Sequence, residues 1–344
     1  MIKRFLTARP FLFSGLLLFL MAVAAIVVGS VPISIPQVLQ IISLQIQHGQ
    51  APQSLQALST ILIKIRIPRI FLVALTGAAL SGSGAAYQGL FRNPLADPYL
   101  IGVASGAGLG AVVAMAFNWP YRIGGMLLIP MAAFFGALLT VWIVITLAKF
   151  RQTIPSTNLI LAGVAVSSLF TALTSLMMLV SNQELHRAIS WLMGGGTLSG
   201  WQPVFSVLPY LIVGLTTLIL MGHPLNVLQF GEEQAQQLGI SVKKVQMIVI
   251  LAASLTSAAA VAFSGIIGFV GLIVPHAIRL IWSGNYKQLI PLSIINGATF
   301  LLISDMLARI LMSPRELPVG IITAVFGAPF FLWLLKQSRE KMAW

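Results

Sequence analysis

The sequence predicts an all-α polytopic membrane protein of about ten transmembrane helices, and three observations lead there. Of 344 residues, 58% are hydrophobic, enough for roughly ten runs of about 20 apolar residues, the length that crosses a hydrocarbon core. Only 8% are charged, against about a quarter in a soluble domain, so polar surface is too scarce to coat a water-facing particle. The 20 Lys and Arg exceed the 7 Asp and Glu by 13, yet the cations stand singly between apolar runs. Without a basic stripe, that excess reads as membrane topology, and no nucleic-acid partner is expected.

Ten apolar segments follow in order. The first, residues 11–29, comes after Lys3, Arg4 and Arg9; it exceeds the roughly 7–15 apolar residues of a cleaved leader and reads as a retained helix. Next come 70–91, 100–117, 124–148, 158–180 and 203–221. Gly102, Gly106 and Gly110 recur every fourth residue in the third, a spacing suited to close helix packing. The run 245–281 is too long for one crossing, and Ser264-Gly265 is the natural place for the chain to reverse. It divides into 245–263 and 265–281, followed by 289–311 and 319–335. The whole chain, 1–344, forms one transmembrane domain.

Cation placement orients this set, since Lys and Arg near span ends favour the cytoplasm. With the N-terminus inside, thirteen of the 20 cations are cytoplasmic. The remaining seven, Lys64, Arg66, Arg69, Arg122, Arg187, Arg309 and Arg315, need a separate explanation. Both termini are then cytoplasmic.

Ionisable residues within spans separate the classes of membrane protein. Asp305 is the only acid inside a predicted span. It keeps an ion-coupled secondary transporter in play as the alternative, although pairing with Arg309, four residues on, is the simpler account. Paired aspartates, a Ser–His arrangement and zinc-ligand spacing are not visible, and there is no cysteine, so no catalytic residue, metal site or bound cofactor is expected. The scattered His and Met residues argue against naked metal as cargo. The chain also lacks the G-x-x-x-x-G-K-[ST] phosphate loop, so ATP-driven movement would require an ATPase on another chain. The sizeable polar segment facing the cytoplasm, 231–244, reads as a short surface helix. Glu232 and Glu233 favour its start, Gly239 stops it, and Ala235 with Leu238 forms a small apolar edge. A capped connector fits those residues equally well.

Several motifs carry a resemblance along nearly the whole chain: RIPR at 66–69, GAALSGSGAAYQGLFRNPLADPYLIGVASGAG at 77–108, LAGVA at 161–165 and WLMGG at 191–195. GEEQAQQLG at 231–239, SGIIGFVGLIVPHAIR at 264–279, the 305–309 segment and ELPVGIITAVFGAPFFLWLL at 316–335 complete it. In these the sequence resembles the FecCD-type permeases of iron-siderophore, haem and cobalamin ABC importers. The resemblance implies a type II ABC importer permease fold in the cytoplasmic (inner) membrane. It also implies a homodimer, or pairing with a related permease, and two cytoplasmic ATPase subunits that hold ATP and Mg. A substrate-binding protein outside would deliver a chelate, with ferric siderophore ranked before cobalamin and haem.

The resemblance further assigns roles to residues. Arg66, Arg69 and Arg309 would receive acidic residues of the binding protein, whereas from the residues alone snorkelling to the interface is the simpler account. Gly231, Glu232, Glu233, Ala235, Leu238 and Gly239 would form the coupling helix seated on the ATPase. Asn93 and Leu95 in RNPLADP, with Ser156 and Thr157 in IPSTN, would form a cytoplasmic gate. For the last two, helix capping is an equal alternative.

Overall fold

The structure is a computed structural model that describes residues 9–29, 31–48, 55–117, 119, 122–123, 126–149, 155–180, 185–195 and 200–342. Its helices are α1 (Pro10–Val27), α2 (Ile35–His48) and α3 (Gln56–Thr60), which runs through a π-helical turn at Ile61–Arg66 into α4 (Ile67–Leu90). After α5 (Val103–Ala116), two-residue strands at Arg122–Ile123 and Met126–Leu127 pair antiparallel. Then come α6 (Leu128–Ala148), α7 (Ser156–Val180), α8 (Leu185–Leu192), α9 (Trp201–Leu220) and α10 (Gly222–Leu228). The last five are α11 (Glu232–Gln237), α12 (Val242–Ser264), α13 (Val270–Ile281), α14 (Tyr286–Ile310) and α15 (Val319–Met342).

Six of these, α1, α6, α7, α9, α12 and α14, are long and apolar enough to cross a membrane. Helices α5, α13 and the first part of α15 are shorter apolar helices, and α4 adds 24 residues. Together they account for the ten expected segments. Helix α4 is the axis of the bundle, packed on α14, α12, α13 and α9. Small residues make this possible: a side chain at Gly77 would strike the backbone of Gly297 on α14. Where apolar burial between helices gains little over lipid contact, such close approach is what holds a bundle together.

The glycine spacing in α5 divides by role. Gly106 and Gly110 face the backbone of α6 at Gly136 and Ala132, as tight packing requires. Gly102 instead takes φ +84° just before α5, a left-handed conformation that glycine adopts without a Cβ penalty. The helix consequently starts at Val103 rather than at 100.

The expected helix over 265–281 is corrected. Helix α12 ends at Ser264, Gly265 turns at φ +79°, and α13 begins only at Val270. Between them Ile266–Gly268 is non-helical, and Phe269 holds φ +70°. Non-helical backbone at membrane depth survives only where protein or a wet cavity satisfies it. Here the Tyr99 hydroxyl does so, donating to the Ile267 carbonyl at 2.9 Å and accepting from the Ile267 N–H at 3.3 Å. The Phe269 ring lies over Gly327 of α15, in the space a side chain there would need.

Helices α2 and α8 were not among the expected spans. Helix α2 packs through Val38 and Ile41 against Ile33 and Leu62.

Candidate functional site

Helices α4 and α14 run antiparallel, so the start of one meets the end of the other, and polar groups gather at both ends. At the first end stand the three arginines read as a docking set. Arg69 donates from Nε and Nη2 to Asp305 Oδ1 at 3.0 and 2.8 Å, and from Nη1 to Glu316 at 2.5 Å. Arg309 Nε lies 2.9 Å from the other oxygen of Asp305. The expected i,i+4 pair is therefore present, enlarged to two arginines and two acids.

Asp305 is fully buried and sits in the last turns of α14. Two guanidinium groups hold its charge, which removes it as a mid-membrane coupling site: an ion-coupled carrier would need that carboxylate free to exchange its cation.

Arg66 and Arg309 are 5% and 3% exposed, so in this structure neither is presented on the surface. The last carbonyls of a helix have no partners within it, and these two arginines supply donors to the end of α1. Arg66 reaches the Ile26 and Val31 carbonyls at 2.8 and 2.5 Å, and Arg309 the Val28 carbonyl at 3.1 Å. Gly29 leaves the room they occupy. Arg69 alone of the three keeps a partly open side chain, 25% exposed, flanked by exposed Lys64 and Arg315. A cavity of about 110 Å³ lies beneath Arg69, Asp305 and Glu316, lined also by Thr76, Ser190 and Ser264.

The opposite end holds the segment read as a coupling helix. Gly231, at φ +115°, precedes α11, and Gly239, at φ +81°, follows it, so the expected start and stop are where the helix dipole and the left-handed cap put them. Glu232 and Glu233 occupy the first turn, and Glu232 accepts from Gln246 at 3.3 Å. The expected Ala235–Leu238 edge is corrected: Ala235 is buried beneath the helix while Leu238 faces out. The exposed apolar pair is Phe230 at 70% and Leu238 at 67%, one on either side of α11.

A polar chain ties this segment to the end of α4, and sequence spacing gave no sign of it. Gln229 donates to the Gly89 and Leu225 carbonyls, both at 2.9 Å. Asn226 donates to Asn285 at 2.7 Å and accepts from the Tyr286 N–H at 2.8 Å. Arg279 bridges Gln88 and the Tyr286 hydroxyl at 3.2 and 3.3 Å. Through Gln229 the segment read as a coupling helix is fastened to Gly89, two residues before the loop that carries Asn93 and Leu95.

In that loop Asn93 is exposed and uses its side chain locally, accepting from the Leu95 N–H at 2.9 Å, while Leu95 stays 40% exposed. Ser156 and Thr157 form the first turn of α7, half-buried and exposed respectively. The loop continues to Asp97, whose Oδ1 accepts from the Tyr99 N–H at 2.8 Å. Burial pushes its carboxyl up to about 6 against that hydrogen bond. Asp97 and Tyr99 border a groove of about 700 Å³ along α7, where Ser167, Ser168, Thr171 and Ser175 place hydroxyls.

Comparison with known proteins places this architecture. The model of the FecCD transport family matches residues 16–337. The ABC transporter permease protein YvrB of Bacillus subtilis is 41% identical over 313 residues, 90% of this chain and 89% of that one. The cobalamin import permease BtuC of Halobacterium salinarum is 44% identical over 80% of this chain and 73% of its own. The hemin transport permease HmuU of Yersinia pestis is 38% identical over 81% and 84%. Among solved structures, an inward-facing ABC transporter described as of the metal-chelate type superposes with a TM-score of 0.78 at 31% identity, covering 94% of this chain and 97% of that one. With its helices, its motifs and these relatives in agreement from end to end, the chain belongs to the FecCD transport family, as a multi-pass permease subunit and not an enzyme.

Proposed function

We propose that this permease works as a pair of copies in the cytoplasmic (inner) membrane, both termini inside, and passes an intact metal chelate delivered by a binding protein outside. A ferric siderophore is the first choice of cargo; relatives carry names for cobalamin and hemin transport. Two ATPase subunits beneath it hold ATP and Mg.

The observation that carries this reading is the face of α7. Ser168, Thr171 and Ser175 are exposed on one side of a membrane-length helix. Ser168 and Ser175 donate back to the Val164 and Thr171 carbonyls at 2.9 and 3.0 Å, but their remaining acceptor lone pairs suit a wet groove better than hydrocarbon. The groove is broad and shallow, about 700 Å³, wider than a bare ion needs and open to an organic molecule passing along it. Exposed Phe230 and Leu238 flanking α11 suit an apolar cleft on the ATPase, and buried Ala235 seats the segment on the bundle. Asn93 and Leu95 gate the groove's end together with Ser156 and Thr157 in the first turn of α7.

Vesicles containing the permease test this directly. Uptake of a labelled ferric siderophore is expected only with the ATPase, the binding protein and ATP all present. Uptake driven by a sodium or proton gradient through the permease alone would overturn it.

A further inference from the structure

Helix α2 carries three faces. At about 3.6 residues per turn, Val38 and Ile41 fall on the side that packs against Leu62. Pro36, Gln40, Ser43 and Gln47 share a second side and are exposed. Ile35, Leu39, Ile42 and Ile46 share a third, and they too are exposed, at 58%, 63%, 38% and 80%. This third face is an unbroken aliphatic stripe about 16 Å long, exposed among the described residues. Four branched side chains so placed are costly in water.

We propose that α2 lies flat in the membrane–water interface, with Ile35, Leu39, Ile42 and Ile46 seated in lipid and Gln40, Ser43 and Gln47 in water. Continuity commits the stripe to lipid. Helix α1 exposes Phe11, Leu12, Leu16, Phe19, Leu20 and Val23 along a membrane-length span, and its Ile26 packs into the same cluster that anchors α2. The aliphatic stripe therefore adjoins a surface that already faces hydrocarbon. A helix dividing an apolar from a polar side is the form that rests in the interface plane. Residues 35–48 hold no Lys, Arg, Asp or Glu, so no charge opposes burial of the stripe, and none offers a complementary pair to a protein partner. Lying flat, α2 would brace the α1 end where Arg66 and Arg309 cap the carbonyls.

The sequence has no cysteine, which makes single-site labelling clean. Nitroxides at Leu39→Cys and Ile46→Cys are compared with Gln40→Cys and Gln47→Cys in the full chain, labelled before assembly with its ATPase and reconstituted in phosphatidylcholine bilayers. The first pair is expected to show a severalfold higher ratio of collision with oxygen to collision with a water-soluble nickel chelate. Equal ratios in both pairs would overturn the proposal. So would spin–spin broadening at 39 and 46, which would assign the stripe to a second copy. Ile35→Cys and Ile42→Cys provide a replacement pair if either label disturbs folding.

Discussion

Arg69 on α4 and Asp305 on α14, 236 residues apart in sequence, are joined at 2.8 Å, and Glu316 closes on the same guanidinium. Two of the seven cations that count against the topology, Arg69 and Arg309, are thereby neutralised within the subunit. The consequences differ for each member of the cluster.

Asp305→Asn leaves Arg69 and Arg309 without their shared buried counter-charge. Removing one partner of a buried pair costs about 3–5 kcal/mol, while an exposed pair contributes about 0–1. Chemical unfolding in detergent is expected to show a loss near 3 kcal/mol for Asp305→Asn and under 1 for Glu316→Gln. A loss below 1 kcal/mol for Asp305→Asn would show that Asp305 is not the keystone of this end.

Because Glu316 occupies the open side of Arg69, the delivery protein proposed above, if it docks there through an acidic residue, would compete with it. Glu316→Gln is expected to tighten binding of that protein severalfold, and Arg69→Glu to weaken it at least as much. Arg66→Glu and Arg309→Glu are expected to lower stability instead, since their guanidiniums cap α1. Surface-plasmon titration of the folded variants checks this; unchanged affinity in both Glu316→Gln and Arg69→Glu would remove Arg69 from the docking surface.

Gln229→Leu cuts the hydrogen bond to Gly89 without touching α11. A bond of this kind contributes about 1 kcal/mol, or roughly five- to tenfold in a conformational equilibrium. ATP hydrolysis by the assembled complex is expected to persist while uptake per ATP falls by about that factor. Equal falls in hydrolysis and uptake would mean the link only holds the complex together.

Asp97 has its carboxyl pushed up from an ordinary 3.8 to about 6 by burial. The folded state therefore holds this proton more tightly than the unfolded one, so ionisation costs stability above pH 6, and the cost vanishes below about pH 4. Asp97→Asn, which keeps an acceptor for the Tyr99 N–H, is expected to melt higher than the parent at pH 7.5 and alongside it at pH 4. A constant difference across that range would assign the effect to packing instead.

The spans were legible because hydropathy and length report directly on crossing a bilayer. The break at 265–269 was half legible. Gly265 marked a turn, but Ile266, Ile267 and Phe269 are apolar whether helical or extended, so the pattern could not show that the helix stops. The Asp305–Arg309 pair followed from i,i+4 spacing, whereas Arg69 joins it from a distant helix. Burial of Arg66 and Arg309 is not legible in the sequence because their acceptors include backbone carbonyls, which no residue type announces. The Gln229–Gly89 tie was invisible for the same reason. Helix α2 has glutamines among its apolar residues, so hydropathy does not mark it as a span, and only the structure separates its three faces.

The left-handed Phe269 and the bare flank of Gly327 fit as pin and slot. With the ring filling the notch in α15, a slide of either piece along the other would have to displace the ring, and a swivel of α15 would press on the unwound stretch that Tyr99 tethers. The groove's border is in this way geared to the last helix of the bundle.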